Sequence, residues 1–244
     1  MLLTCVIGGM TYLAGARTVT NLSDHMLQEM AARMRQNIEH HVSGSAAVLE
    51  AAFPNGMSAP ADIRQDWQAL RSRLWAATTL HPRTNDYVYY GNVGGQGVGL
   101  KRLPDGSAEL RIRSDIDQHR RYYSLRHIDG PEHFLRTERA MFDPRNRPWF
   151  QLASRVDHHT RTSVYIDFGI KDLVLTRARR VLNADGAFEG VVATDVSLRA
   201  LNDVVEELGR SVKGLAFVIE PNGELVAISG ARNVRHRCRR VGRK

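Results

Sequence analysis

The sequence predicts an α+β protein in which a long N-terminal helix precedes an antiparallel sheet. Two observations carry that expectation. Leu22, Met26, Met30, Met34, Ile38 and Val42 recur at intervals of four, with Leu27 and Ala31 beside them, which is the spacing of one helix face. From Tyr87 onward the period falls to two, and the gaps between runs hold turn residues, too few for crossover helices. A chain of 244 residues that is 43% hydrophobic and 25% charged has the composition of a folded protein with one large or two small domains.

In chain order, Met1 to Ala16 contains no charged residue, and Arg17 ends the run. Sixteen helical residues reach about 24 Å, short of a hydrocarbon core of about 30 Å. No basic residue precedes the run, so the pattern is not that of a cleaved signal peptide. Because a long polar helix follows, residues 1–16 are expected to be a membrane anchor that is incomplete at its start. Residues 17–53 are expected to form a stalk helix whose methionine stripe is a packing face and a candidate homodimer seam. Ser23 and Asp24 would cap it if the helix restarts after the membrane, and Pro54-Asn55-Gly56 stops it.

Ala59 to Leu80 reads as a second helix, with Ile63, Trp67, Leu70, Leu74 and Trp75 on one side. Strands are expected at 87–90, 98–103, 109–113 and 120–125, separated by Gly91-Asn92-Val93-Gly94-Gly95 and Pro104-Asp105-Gly106. A short helix at 144–155 admits Pro148 in its first turn. Strands follow at 163–167, 173–182 and 190–198, then a helix at 199–208 and a last hairpin around Pro221-Asn222-Gly223. A lone two-stranded hairpin is marginal, so it reads as the start of an incomplete second module.

The net charge of +8 raises the question of nucleic acid. Seven of the basic residues fall between Arg232 and Lys244 with no acid among them, which leaves the body near neutral. That stretch has no hydrophobic period and no aromatic to stack on bases, so residues 231–244 are expected to be a disordered basic tail and no nucleic-acid partner is expected. Cys5 and Cys238 form no disulfide framework or metal-ligand pair. Gly94 to Gly99 is flanked by strands, where a phosphate loop needs a helix, so no nucleotide cofactor is expected. Asp157-His158-His159 lacks a further ligand at suitable spacing, and no metal is expected.

The stretch richest in chemistry runs from Phe142 to Asp195. Tyr165 and Asp167 alternate onto one side of a strand, and Asp195 shares its side with Val191 and Ala193. Two carboxylates converging on one cavity call for a cation between them. A ligand ammonium fits, with Tyr165 and Trp149 as aromatic faces and Arg147 as a bidentate grip for a carboxylate. The same residue types suit a scaffold equally: Arg147 paired with Asp143 or Asp167, Trp149 in the core, Asp195 capping the next helix. A hydrolase using Asp167 and Asp195 as an acid–base pair is a further reading, against which stands the absence of any nucleophilic triad or metalloprotease motif.

The segments Phe142-Asp143-Pro144-Arg145-Asn146-Arg147-Pro148-Trp149-Phe150, Val164-Tyr165-Ile166-Asp167-Phe168 and Gly190-Val191-Val192-Ala193-Thr194-Asp195-Val196-Ser197-Leu198 resemble the double Cache family of extracytoplasmic sensor domains. The resemblance covers roughly residues 17 to 230. It implies two stacked PAS-like antiparallel modules joined by a long helix rising from the membrane. The amino-acid-binding group of that family carries a tyrosine five residues before an arginine, a tryptophan two further on, a Tyr-x-Asp on a strand and a later aspartate. Arg147, Trp149, Tyr165, Asp167 and Asp195 match, while Phe142 stands where the tyrosine is expected and lacks its hydroxyl. The resemblance implies that Arg147 and Trp149 hold a ligand carboxylate while Tyr165, Asp167 and Asp195 hold the amine.

The expected organisation is an anchor at 1–16, a stalk at 17–53, a membrane-distal ligand-binding module at 54–200, a linker helix and first hairpin of a truncated membrane-proximal module at 201–230, and the tail. The expected function is sensing of an amino acid or related amine at the outer face of the inner membrane. It would serve a diguanylate cyclase, histidine kinase or chemoreceptor type of protein whose output domain has no signature in this sequence, so the chain itself is not expected to be an enzyme. A ligand-free dimerisation domain or a truncated, non-functional copy is the alternative.

Overall fold

The computed structural model describes residues 2–82, 84–166, 173–211, 214–219, 223 and 225–230. The basic tail and Asp167 lie outside the described residues. The chain divides into two units, residues 1–40 and 41–244. Helix α1, Leu2–Ala52, is continuous through Ser23 and Asp24, so neither caps a new start. Thr11, Thr18 and Thr20 turn their hydroxyls back onto carbonyls four residues earlier. Exposed pairs Glu29–Arg33 and Arg35–Glu39 sit at i,i+4, each worth a few tenths of a kcal/mol. Among the described residues no helix is long and apolar enough to cross a membrane.

In the second unit a 3₁₀ turn, Ile63–Asp66, leads into α2, Trp67–Leu80. The strands are β1 (Tyr87–Asn92), β2 (Gly97–Arg102), β3 (Ala108–Arg113), β4 (Arg121–Leu125) and β5 (His133–Thr137). A 3₁₀ turn at Pro144–Asn146 and α3 (Pro148–Ala153) follow, where one helix was expected. Then come β6 (Thr160–Arg161), β7 (Tyr165–Ile166), β8 (Leu173–Leu182), β9 (Phe188–Ser197) and α4 (Leu198–Ser211). The expected last hairpin is β10 (Phe217–Ile219) with β11 (Leu225–Ile228), a separate two-stranded sheet.

Among the described residues β1 to β9 form one antiparallel sheet in the order β5-β4-β3-β2-β1-β9-β8-β6, with β7 also paired to β8. The first and last long hairpins therefore meet at its centre, where β1 lies against β9 in the register Tyr89↔Ala193. Strand β5 escaped sequence reading because every residue of it is exposed at an edge, so it shows no alternation.

The two faces are covered differently. On one, Val48, Leu49 and Phe53 at the end of α1 and Leu70 and Leu74 of α2 pack on Val88, Tyr90, Leu100, Leu110 and Val192. Fully burying side chains of this size contributes roughly 1.5–3 kcal/mol each, which makes this the main core. On the other, Tyr87, Tyr89, Val191, Ala193 and Ala178 cluster with Trp149, Phe150 and Ala153 of α3, and Tyr165 and Phe188 pack beside them. One short helix thus roofs the part of that face where the candidate residues lie.

Candidate functional site

The roof is held by local chemistry. Asp143 caps the 3₁₀ turn by accepting from the Arg145 backbone N–H at 2.9 Å and grips the Arg145 guanidinium at 2.7 Å. That pairing keeps the Asp143 carboxyl below its usual range, and Arg113 adds a second cation at 3.7 Å. Asp143 is thus paired with Arg145 and Arg113. Arg147 has extended backbone, φ −94° and ψ 144°, and its carbonyl accepts from the N–H groups of Phe150 and Gln151, starting α3 with Pro148 at its first position. The roof can sit close because β1 carries glycine beneath it: a Cβ on Gly91 would lie 2.6 Å from the Pro144 Cβ and 3.2 Å from the Trp149 ring.

Beneath the roof lies Asp195, on β9 directly opposite Thr176 on β8. Its Oδ1 accepts from the Tyr89 hydroxyl at 2.7 Å and from the Thr176 hydroxyl at 2.6 Å. Thr176 spends its one proton on Asp195, so in its 2.8 Å bond with the Tyr165 hydroxyl the tyrosine donates. The chain Tyr165 to Thr176 to Asp195, joined by Tyr89, ends with every proton pointing at the carboxylate. This directionality suits an ionised Asp195. Asp195 is 7% exposed and Thr176 fully buried. Burial, and then the Asp195 charge, push the Tyr89 and Tyr165 phenols above their ordinary range, so both stay protonated donors. From behind, the Asn85 amide donates to the Thr194 hydroxyl and the Asp195 carbonyl, fixing this length of strand.

The Trp149 ring meets Tyr89 edge-on at 4.9 Å and is 3% exposed. The Arg147 guanidinium lies 5.7 Å from the Tyr165 ring centre. Arg147, Trp149, Tyr165 and Asp195 are therefore gathered around Tyr89 and Thr176. Phe142 stands further along the same face: its ring lies 3.9 Å from the Arg120 guanidinium, which is itself clamped by Glu138 at 2.7 Å. Between the two ends runs a row of rings and cations, with Tyr87 4.7 Å from Tyr89 and Arg111 4.5 Å from Tyr87.

Sequence reading missed Tyr89 and Thr176. Tyr87 and Tyr89 were visible as one side of a strand. Thr176 follows from counting back through the hairpin, but the bulge at Val181/Leu182 shifts that count by one and only the structure settles it. The histidines go elsewhere: His158 pairs with exposed Asp157, and His159 meets Glu50 at 3.1 Å.

No protein-family profile matches the chain. It is 33% identical over 87 residues to the methyl-accepting chemotaxis protein PctB of Pseudomonas aeruginosa, and that match takes in 36% of this chain and 14% of the relative. The chain thus spans a small part of the length of the chemotaxis protein it matches. Among solved structures it is similar to the ligand-binding domain of the amino-acid chemoreceptor PctC of Pseudomonas aeruginosa in complex with GABA: TM-score 0.57, 18% identity, 84% of this chain and 74% of that one. It is also similar to the ligand-binding domain of the chemoreceptor CtaA of Pseudomonas fluorescens in complex with L-isoleucine: TM-score 0.52, 25% identity, 84% and 67%. The chain therefore has the fold of the ligand-binding domains of amino-acid chemoreceptors. It is the double Cache architecture to which the segments around Arg147, Tyr165 and Asp195 pointed.

Proposed function

We propose that this chain is the sensing part of a membrane chemoreceptor and that the site under α3 takes an amino acid or a related amine. The observation that carries the reading is the Asp195 carboxylate, buried and fed on one oxygen by the hydroxyls of Tyr89 and Thr176, which in turn touch Trp149 and Tyr165. A carboxylate so preorganised attracts an ammonium, and a desolvated cation gains up to about 2 kcal/mol more from aromatic faces. In this reading Asp195, Asp167 and Tyr165 hold the amine, while Arg147 and Trp149 hold the ligand carboxylate. Phe142 closes the far end without a hydroxyl to offer. Chemotaxis relatives favour a chemoreceptor output over a cyclase or kinase.

The proposal places the domain outside the inner membrane, with residues 1–16 entering it, residues 54–200 as the ligand-binding module and 201–230 as the start of the next. Leu22, Met26 and Leu27 are exposed along α1, which supports pairing of two copies through that helix. Binding would signal by favouring one of two arrangements of the domain.

The test is a panel of L-amino acids and biogenic amines against the purified chain by thermal shift and calorimetry. A ligand at 100 times its dissociation constant stabilises by about 2.7 kcal/mol. A well-folded sample that no member of the panel shifts would leave the ligand-free dimerisation reading in its place.

A further inference from the structure

The proposed function leaves the opposite face of the sheet unused, and that face carries a cavity of its own. On β3 and β4 alternation turns Arg111 and Tyr122 toward the candidate site and Ile112, Arg121 and Tyr123 away from it, with Ile112 directly opposite Arg121. Between these three and Trp67 at the start of α2 lies a cavity of about 340 Å³. That is the low end of the range for small-molecule sites.

Its walls are set before any ligand arrives. The Trp67 indole N–H donates to Glu132 at 3.0 Å, and Arg71 holds the same carboxylate oxygen at 3.1 Å. Tyr123 is braced edge-on by Phe134 at 5.8 Å. The charges around the rim also resolve. Arg71 offsets Glu132, and Asp62 clamps Arg64 at 2.6 Å. Arg121 is left as the cation lining the cavity with no carboxylate partner among the described residues. Ser114 and Gln118 line it too, and their side chains make no hydrogen bond to another described residue.

We propose that this cavity is a second binding site, for a small aromatic monocarboxylate. The ring lies against Trp67 and Tyr123 over Ile112, and the carboxylate meets Arg121 with Ser114 and Gln118 as neutral donors. One uncompensated guanidinium suits one negative charge, and the two rings and an isoleucine suit a flat apolar body. A cation is repelled, and the second charge of a doubly charged ligand would meet an arginine, Arg64, that Asp62 already holds. The site does not depend on the amino-acid reading of the other face, since it shares no residue with it.

Benzoate is the probe, titrated into the purified full chain and followed by calorimetry and by tryptophan fluorescence. Saturable binding is expected, weakened at least roughly tenfold by Arg121→Gln and for neutral benzyl alcohol, and unchanged by Asp195→Asn. Arg121 is exposed, so its replacement leaves the fold intact even where Tyr123→Ala does not. Absence of saturable binding overturns the proposal. So does equal affinity in Arg121→Gln, and so does loss of binding in Asp195→Asn, which would put benzoate under α3 instead.

Discussion

Replacing Asp195 with asparagine separates the charge of this side chain from its place in the fold. The amide keeps an oxygen where Oδ1 accepts from Tyr89 and Thr176, so both hydroxyls retain a partner. Two bonds to an ionised acceptor become two to a neutral one, a loss of roughly 1 kcal/mol each. Against this, a carboxylate no longer has to be buried, which offsets several kcal/mol. Stability should therefore move by no more than about 2 kcal/mol in either direction. The ligand suffers more. An ammonium about 4 Å from a carboxylate at an effective dielectric near 20 is held by about 4 kcal/mol, part of which offsets desolvation. A net 3 kcal/mol corresponds to roughly 150-fold in affinity. Calorimetry with the amino acid that shifts the wild-type chain most, beside urea unfolding without ligand, reads both numbers. A folded variant that binds within tenfold of wild type would refute the role of the charge. A variant that loses more than about 4 kcal/mol of stability would show Asp195 to be structural.

Thr176→Val keeps the shape of a fully buried side chain and removes the hydroxyl linking Tyr165 to Asp195, so a loss of about 2–4 kcal/mol in urea unfolding and weaker ligand binding are expected. Gly190→Ala would place a Cβ 2.5 Å from the Gly91 carbonyl oxygen and from the Tyr90 hydroxyl, so the central β1–β9 pairing should weaken by about 1–3 kcal/mol, with the midpoint of unfolding as the readout. Burial raises the phenol pKa values of Tyr89, Tyr90 and Tyr165, and for Tyr89 and Tyr165 the Asp195 charge adds to it. The unfolded chain then releases these protons first, so their contribution is intact below about pH 10 and is lost as pH rises beyond it. Ultraviolet titration should find at least these three of the seven tyrosines resisting ionisation in the folded chain, and uniform ionisation near 10 would refute the burial argument.

The long, half-buried strands were legible, and so was the short hairpin of β10 and β11, which its turn residues mark. Strand β8 was read at its observed bounds because apolar alternation and the Asn183-Ala184-Asp185-Gly186 turn agree there. Strands β5 and β6 lack that agreement, one being wholly exposed and the other two residues long. For the site, residue spacing and resemblance together singled out Arg147, Trp149, Tyr165 and Asp195, which meet under α3. Tyr89 and Thr176 depend on which strands are neighbours, and that is decided by the long-range pairing of β1 with β9 and by a one-residue bulge. Phe142 shows a further limit. Its spacing from Arg147 says nothing of Arg120, the cation beneath its ring.

Strand β8 has one more property. Thr176 turns toward Asp195, while Arg179, three residues on, turns the other way, pairing with Glu50 at 3.2 Å and donating to the carbonyl of Phe53, at the end of α1. Three residues of strand span about 10 Å. One piece of chain therefore carries both the threonine that faces Asp195 and the arginine that holds the foot of the long helix.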